Sequence, residues 1–272
     1  MGIVGTLSEI IKEQWEWRKQ ILSLGLFDLK KTSAGAVLGS FWFFAKPAVY
    51  IFCFWFALEV GLKSGNQTGS DVPYILWLMG GLIPWFYMQD ILGAGIDVFK
   101  RYSYLVTKIK FPISTIPTFV SLSCLAVHIG LLLIMILIFV GFGYPPTIYY
   151  LQLPVYMLMM FAFFTTWGLF SGVLSAISQD FLNLVKSLTQ ALFWLSGILY
   201  DAGKIEIVWV KKVLLFNPVT ICANGYRNVF IKHVWFWETP EELRNYVIVL
   251  IVMGALAVWA YGRLKKEIPD VL

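Results

Sequence analysis

From Val37 to Leu62 the chain runs 26 residues with no acidic group until Glu59, and it carries Phe41, Trp42, Phe43, Phe44, Tyr50, Phe52, Phe54, Trp55 and Phe56. As a helix this run reaches roughly 39 Å, more than the roughly 30 Å hydrocarbon thickness of a bilayer, so it can cross with some tilt. The rings exceed what interfacial anchoring needs. Trp and Tyr gather at the two headgroup levels, whereas these aromatics recur from one end of the run to the other. They serve either to pack helix against helix or to line a path.

Five further stretches are long enough to span, giving about 37–62, 74–99, 114–140, 149–173, 181–199 and 245–263, the fifth being short. The chain is 59% hydrophobic and 14% charged, against about 25% charged in a soluble domain. The expectation is an all-α integral membrane protein: residues 1–36 precede a six-span domain over 37–272. Outside the spans only 1–36 and about 200–244 are sizeable, and neither matches a soluble catalytic domain. Chemistry that needs such a domain belongs on another chain.

Residues 1–11 lack an early basic cluster and a long apolar core, so no cleaved signal peptide is expected. Cys53, Cys124 and Cys222 show no Cys-x-x-Cys spacing and imply neither disulfide framework nor metal site. His128 and His233 stand alone and are read as packed or solvated imidazoles. The net charge of +5 reflects membrane topology and is weak evidence for nucleic acid.

Basic residues resist translocation and so orient the spans. Lys12, Arg18, Lys19, Lys30 and Lys31 precede the first span, Lys100, Arg101, Lys108 and Lys110 follow the second, and Arg263, Lys265 and Lys266 follow the sixth. Both termini are therefore expected in the cytoplasm. Residues 200–244 also carry basic groups, but long connections obey the rule weakly.

Residues 6–31 mix apolar and basic side chains as an interfacial amphipathic helix does, either a lipid-surface anchor or a docking element for a partner. Lys46, about ten residues into the first span, can snorkel to inner headgroups or meet an anionic substrate or lipid phosphate. Pro47 should kink the span or mark where an interfacial turn becomes the membrane helix. On a helical wheel Phe41, Phe44, Phe52 and Trp55 fall within roughly 80°, with Phe43, Tyr50 and Phe54 opposite. Only one face can line a path, and the hydroxyl of Tyr50 mildly favours its side as the wetter one. Asp90 and Asp97 share a face of span two, suited to a polar cavity or helix packing, or to a cation or proton.

The loop from Phe99 to Pro112 is a short basic element that can meet the membrane surface or a protein partner. Asp180 is placed to cap span five. Residues 204–216 and 219–230 are apolar but too short to cross, and Asn217-Pro218 between them is a helix stop and restart. They are read as two short re-entrant helices in the outer leaflet. The sequon Asn66-Gln67-Thr68 falls in the first outer loop and is discounted as a chance match. Gly197 to Lys204 is nearest to a phosphate loop, but Ile205 stands where Ser or Thr is required, so this chain does not bind ATP by that motif.

Leu38-Gly39, Trp42 and Pro47, then Gly81 with Trp85-Phe86, Lys108 with Phe111-Pro112, Ile116-Pro117, Asp180, Asn217-Pro218 and Tyr226-Arg227 follow one another around the six spans. In that order and spacing the chain resembles, over nearly its whole length, the ABC-2 type permeases of polysaccharide-exporting ABC transporters. Val72-Pro73-Tyr74 with Trp77, and His128 to Leu133, look like the teichoic acid translocation branch. The family usually has Arg before the residue matching Asp180 and Ser-Pro at the end of span five, where this chain has Gln179 and Ser196-Gly197.

The resemblance implies a homodimer with two separate ATPase subunits, ATP and Mg on those subunits, and no cofactor on this chain. The cargo it implies is a polyprenyl-diphosphate-linked polymer moved outward across the cytoplasmic membrane, amid membrane lipids and with no nucleic acid involved. A teichoic acid cargo would mean a Gram-positive envelope. O-antigen and capsular exporters share the outline. On this reading Phe41, Phe44, Lys46, Tyr50, Phe52 and Trp55, with Trp85, line the conduit, and Lys46, Lys108 or Arg101 meets the diphosphate. Lys100, Arg101, Tyr104, Lys108, Phe111 and Asp180 couple to the ATPase, while Asn217, Pro218, Tyr226 and Arg227 form an outer gate. The rival from another class is a lipid-phosphate transferase with a metal held by Asp90, Asp97 and Asp180; a passive channel is a third possibility.

Overall fold

The computed structural model describes residues 2–33, 37–63, 72–109 and 111–272; the sequon Asn66-Gln67-Thr68 and Lys110 lie outside the described residues. Among the described residues every regular element is helical. In chain order they are α1 (Ile3–Glu16), α2 (Arg18–Ser33), α3 (Trp42–Trp55), α4 (Tyr74–Ile96), α5 (Val98–Arg101), α6 (Ser103–Thr107) and α7 (Ile116–Gly141). Then come α8 (Leu153–Ile177), α9 (Gln179–Leu195), α10 (Val208–Leu214), α11 (Pro218–Arg227), α12 (Pro240–Leu264) and α13 (Ile268–Val271).

Five helical stretches are long and apolar enough to cross a membrane: Gly39–Gly61, Tyr74–Ile96, Ile113–Gly141, Ile148–Ile177 and Pro240–Leu264. The segment expected as a fifth of six spans differs. Its helix, α9, stops at Leu195 because Gly197 takes a left-handed φ of +66°. The 17 residues that remain reach about 26 Å, and Asn183, Lys186 and Gln190 are exposed along them.

The single amphipathic helix expected over 6–31 is two helices. Trp17 leaves helical geometry between them, at φ −97° and ψ 12°, and its ring packs edge-on against Phe111 at 4.9 Å. α1 lies on α12, where Lys265 donates to Glu9. α2 instead runs along α7 and buries Ile21, Gly25 and Asp28. Those positions recur at helical spacing, so α2 belongs to the bundle wall rather than to the interface alone.

α4 is the central pillar and packs against α3, α7, α8, α9 and α11. Close approach to α8 depends on missing side chains: a Cβ on Gly95 would meet the Cα of Gly168 at 2.8 Å, and one on Gly172 would meet the Gly95 carbonyl at 2.9 Å. Small residues let helix backbones approach where lipid supplies no hydrophobic drive. A hydroxyl network ties three helices together: Tyr87 and Ser121 lie 2.6 Å apart, and Thr165 donates to Ser121 at 2.7 Å.

The bundle has two unlike ends. At one, α1, α5, α6, α13 and the start of α9 gather, with Lys100 donating to Gln179 across 3.0 Å. At the other, the Gln152 amide donates to Val234 and accepts from Phe236, both at 2.8 Å, and Trp235 stacks on Trp237 at 4.6 Å.

Candidate functional site

An open cavity of about 650 Å³ lies between α2, α3, α4 and α7. α3 contributes Trp42, Phe43, Lys46, Pro47 and Tyr50; α4 contributes Phe86, Gln89, Asp90 and Ala94. Its lining changes with depth. Near the end that holds α5, the walls are Asp28, Thr32 and Arg101; farther along the bundle they become Tyr50, Phe86, Val127 and Leu131. From Val120 to Leu131 α7 covers about 16 Å of that gradient.

The charges in the cavity are poorly spent. Lys46 and Asp90 attract one another electrostatically, yet among the described residues neither makes a direct ion pair within 4 Å. Pro47, lacking an N–H, leaves the carbonyl of Phe43 without its helical donor on the same wall. Such a lining suits a ligand with one polar and one apolar end.

Of the residues expected along a conduit, Lys46 and Tyr50 line this cavity. The wetter-face argument thus selects the side of Phe43 and Tyr50. Phe41 and Phe52 turn outward, 57% and 58% exposed. Phe44 abuts α7, where its ring would lie 2.8 Å from a Cβ at Gly130. Trp55 pairs with Phe52 at 5.9 Å, and Trp85 is buried against Phe193 at 5.3 Å.

The residues expected to couple to a partner divide as well. Lys100, Tyr104, Lys108 and Asp180 are exposed at the α5 end. Phe111 is buried against Trp17, and Arg101 faces the cavity. Asp180 does not cap α9. The helix begins at Gln179, two residues earlier than a cap at Asp180 requires, so Ser178 takes the N-cap and accepts from the Phe181 N–H at 3.2 Å. Asp180 then sits in the first turn, where its charge favours the helix dipole.

Between cavity and coupling surface lies a contact that the sequence did not reveal. Tyr102 is buried and donates its hydroxyl to the buried carboxylate of Asp28. Burial first, and the hydrogen bond to Asp28 second, push the Tyr102 phenol well above its usual range, so it remains a donor. The Lys31 ammonium and the Arg101 guanidinium lie 5.3 and 5.4 Å from the Tyr102 ring centroid. The available signal was Ile21, Gly25, Asp28 and Thr32 on one helical stripe, with an acid where an apolar residue is usual.

The gate residues of the opposite end are structural neighbours. Asn217 caps α11 by accepting from the Val219 N–H at 2.9 Å, Pro218 follows at the first helical position, and the Asn217 amide donates to Ser196 at 2.8 Å. Tyr226 and His128 share a hydrogen bond of 2.5 Å in the core. Arg227 is 1% exposed. Its guanidinium donates to the carbonyls of Gly197 and Ile198 at 2.8 and 2.6 Å and stacks over Trp77 at 3.6 Å. Asp90, Asp97 and Asp180 do not converge; among the described residues no three metal-ligating side chains cluster.

A family model described as ABC-2 type transporter matches residues 19–231, which include every residue lining the cavity. The O-antigen export system permease protein RfbA of Myxococcus xanthus is 23% identical over 252 residues, spanning 92% of this chain and 93% of that protein. The protein of the same name from Klebsiella pneumoniae is 23% identical over 250 residues, spanning 90% and 92%.

Proposed function

Because this chain belongs to the ABC-2 type transporter family, we propose that it is the permease subunit of an ATP-driven exporter that moves a polyprenyl-diphosphate-linked polysaccharide across the cytoplasmic membrane. The observation that carries this reading is similarity to O-antigen export permeases over nine tenths of both chains. It is supported by a cavity that is polar near the basic end of the bundle and apolar beyond.

In this proposal two copies of the chain assemble with two ATPase subunits, which bind ATP and Mg and perform the hydrolysis. Both termini and the α5–α6 turn face the cytoplasm, and α9 completes a sixth crossing with the turn that follows it. α10 and α11 dip into the outer leaflet. Phe41, just before α3, and Phe52 on it touch only rings of their own segment and are otherwise exposed, which suits contact with the second copy or with lipid. ATP-driven closure of the partners presses on Lys100, Tyr104 and Lys108, and the push reaches α9 through the Lys100–Gln179 contact.

Of the polymers that share this outline, two are favoured by particular observations. Teichoic acid is favoured by the motif around Val72-Pro73-Tyr74 and by His128 to Leu133; O-antigen is favoured by the relatives. Expression in strains lacking one or the other permease, read as polymer at the cell surface, separates them. Reconstitution in vesicles with the partner ATPase should give export that needs ATP hydrolysis. Polymer movement without any ATPase, or group transfer by the purified chain alone, would overturn the proposal.

A further inference from the structure

The cations near the cytoplasmic end are not equivalent. Lys100 spends its ammonium on Gln179, Lys265 on Glu9, and Lys108 stands exposed outside the cavity. Lys46 and Arg101 line the cavity and, among the described residues, donate no side-chain hydrogen bond to protein. That leaves three ammonium and five guanidinium N–H donors available to the space between them. The apolar stretch through Tyr50, Phe86, Val127 and Leu131 continues from those donors toward the bundle middle.

We propose that this cavity is a binding site for the phosphate or diphosphate headgroup of a membrane lipid, clasped between Lys46 and Arg101, with the lipid chain lying along Tyr50, Phe86 and Leu131. The proposal deepens the export reading, and rests on it for the identity of the lipid as polyprenyl diphosphate. It reassigns Arg101 from partner docking to headgroup binding and leaves Lys108 outside the site. Planar guanidinium suits bidentate contact with phosphate oxygens, and ammonium serves as a point charge opposite. A lipid is favoured over a free anion because the donors lie at the polar end of a trough whose other end, through Tyr50, Phe86, Val127 and Leu131, is apolar. Two carboxylates of the lining oppose an anion: Asp28, which accepts from Tyr102, and Asp90 on the facing wall, which sets the sign of one test.

Occupancy has a physical route to the coupling surface. Arg101 lies over the ring of Tyr102, whose hydroxyl holds Asp28. A headgroup that draws the guanidinium into the cavity unloads that ring and shifts α5 relative to α2.

The test uses the full-length permease in phosphatidylcholine nanodiscs doped with polyprenyl diphosphate, read as lipid retained after purification. Lys46→Gln and Arg101→Gln should each lower retention about tenfold, the scale of losing charge-assisted hydrogen bonds. Lys266→Gln, on the same end but outside the cavity, should not. Asp90→Asn should raise retention about threefold, a gain that misfolding does not mimic. Polyprenol should not be retained, and inorganic diphosphate should not displace the lipid at matched concentration; displacement would overturn the lipid assignment in favour of a free-anion site. Retention unaffected by Lys46→Gln and Arg101→Gln but lost in Lys108→Gln would overturn the site. Cation-dependent retention without ATP-driven polymer export would sink the export reading and leave the site standing. Export with cation-independent retention would do the reverse.

Discussion

The first two spans are neighbours of similar hydropathy and opposite fates. Both Gly39–Gly61 and Tyr74–Ile96 are apolar enough to span, yet within the 18-residue apolar stretch of each only 11% of the first is buried against 78% of the second. Hydropathy reports transfer out of water, and lipid satisfies it as well as a core does. What separates the helices is surface shape. α4 carries Gly80, Gly81 and Gly95 where Arg227, Ile198 and α8 press closest, whereas α3 presents rings on every side and a charge at Lys46. The buried helix is built for contact with its own chain, and the exposed one keeps surface for something else.

The sharpest way to break this comparison is to attack the pillar. Arg227→Ala strips the donors from the Gly197 and Ile198 carbonyls beside α4 and should cost about 3–5 kcal/mol, from two hydrogen bonds to a charged donor. Heating in detergent followed by size-exclusion chromatography should show earlier loss of monodisperse protein; an unchanged profile would remove α4 from its central role. Gly81→Ala comes next, since a Cβ there would meet the guanidinium and the Ile198 carbonyl, each at 2.7 Å. Overpacking of this kind should cost about 1–3 kcal/mol in the same assay.

On α3 the expected pattern reverses. Tyr50→Ala should leave thermal stability within about 0.5 kcal/mol, because the side chain is 56% exposed, while slowing ATP-driven export severalfold in vesicles. A large stability loss with normal export would place α3 in the same class as α4.

The smallest effect lies outside both helices, where α1 docks. Burial raises the Glu13 carboxyl above its ordinary 4.5, partly offset by the hydrogen bond from Ser114. A raised folded-state pKa means the folded form holds more protons, so stability falls as pH rises from about 4.5 through that value and stays lower above it. Proteolytic release of α1 should therefore increase across this window in the parent protein and stay flat in Glu13→Gln, with a difference below about 1 kcal/mol. A rise of equal size in the variant would assign the trend to another group.

Much of this was legible because bilayer thickness imposes length. The five long helices follow from runs of apolar residues, and the start of α11 follows from Asn217-Pro218, whose roles are local. Roles that depend on distant partners were not legible. Arg227 was visible as a motif, but its carbonyl partners lie 29 and 30 residues away, and nothing nearby announces that a full charge is buried. The break at Trp17 is set by Phe111, also far along the chain. The aromatic wall of α3 showed two faces by periodicity, and only the fold shows that one of them meets a cavity.

The unequal tethering of α9 has a mechanical consequence. Just beyond its last turn, Arg227 and Thr220 hold residues 196–198 by hydrogen bonds inside the protein, while its first turns rest on α4 and α8 through apolar contacts of Phe181, Leu182 and Val185 and one exposed hydrogen bond from Lys100. A rod fixed by directed bonds at one end and by apolar contacts, which can slide, at the other has its fulcrum at the bonded end. With a length of about 26 Å, a swing of about 10° carries the free end about 4–5 Å. Gly197, with its left-handed backbone at the pivot, marks where the leverage ends.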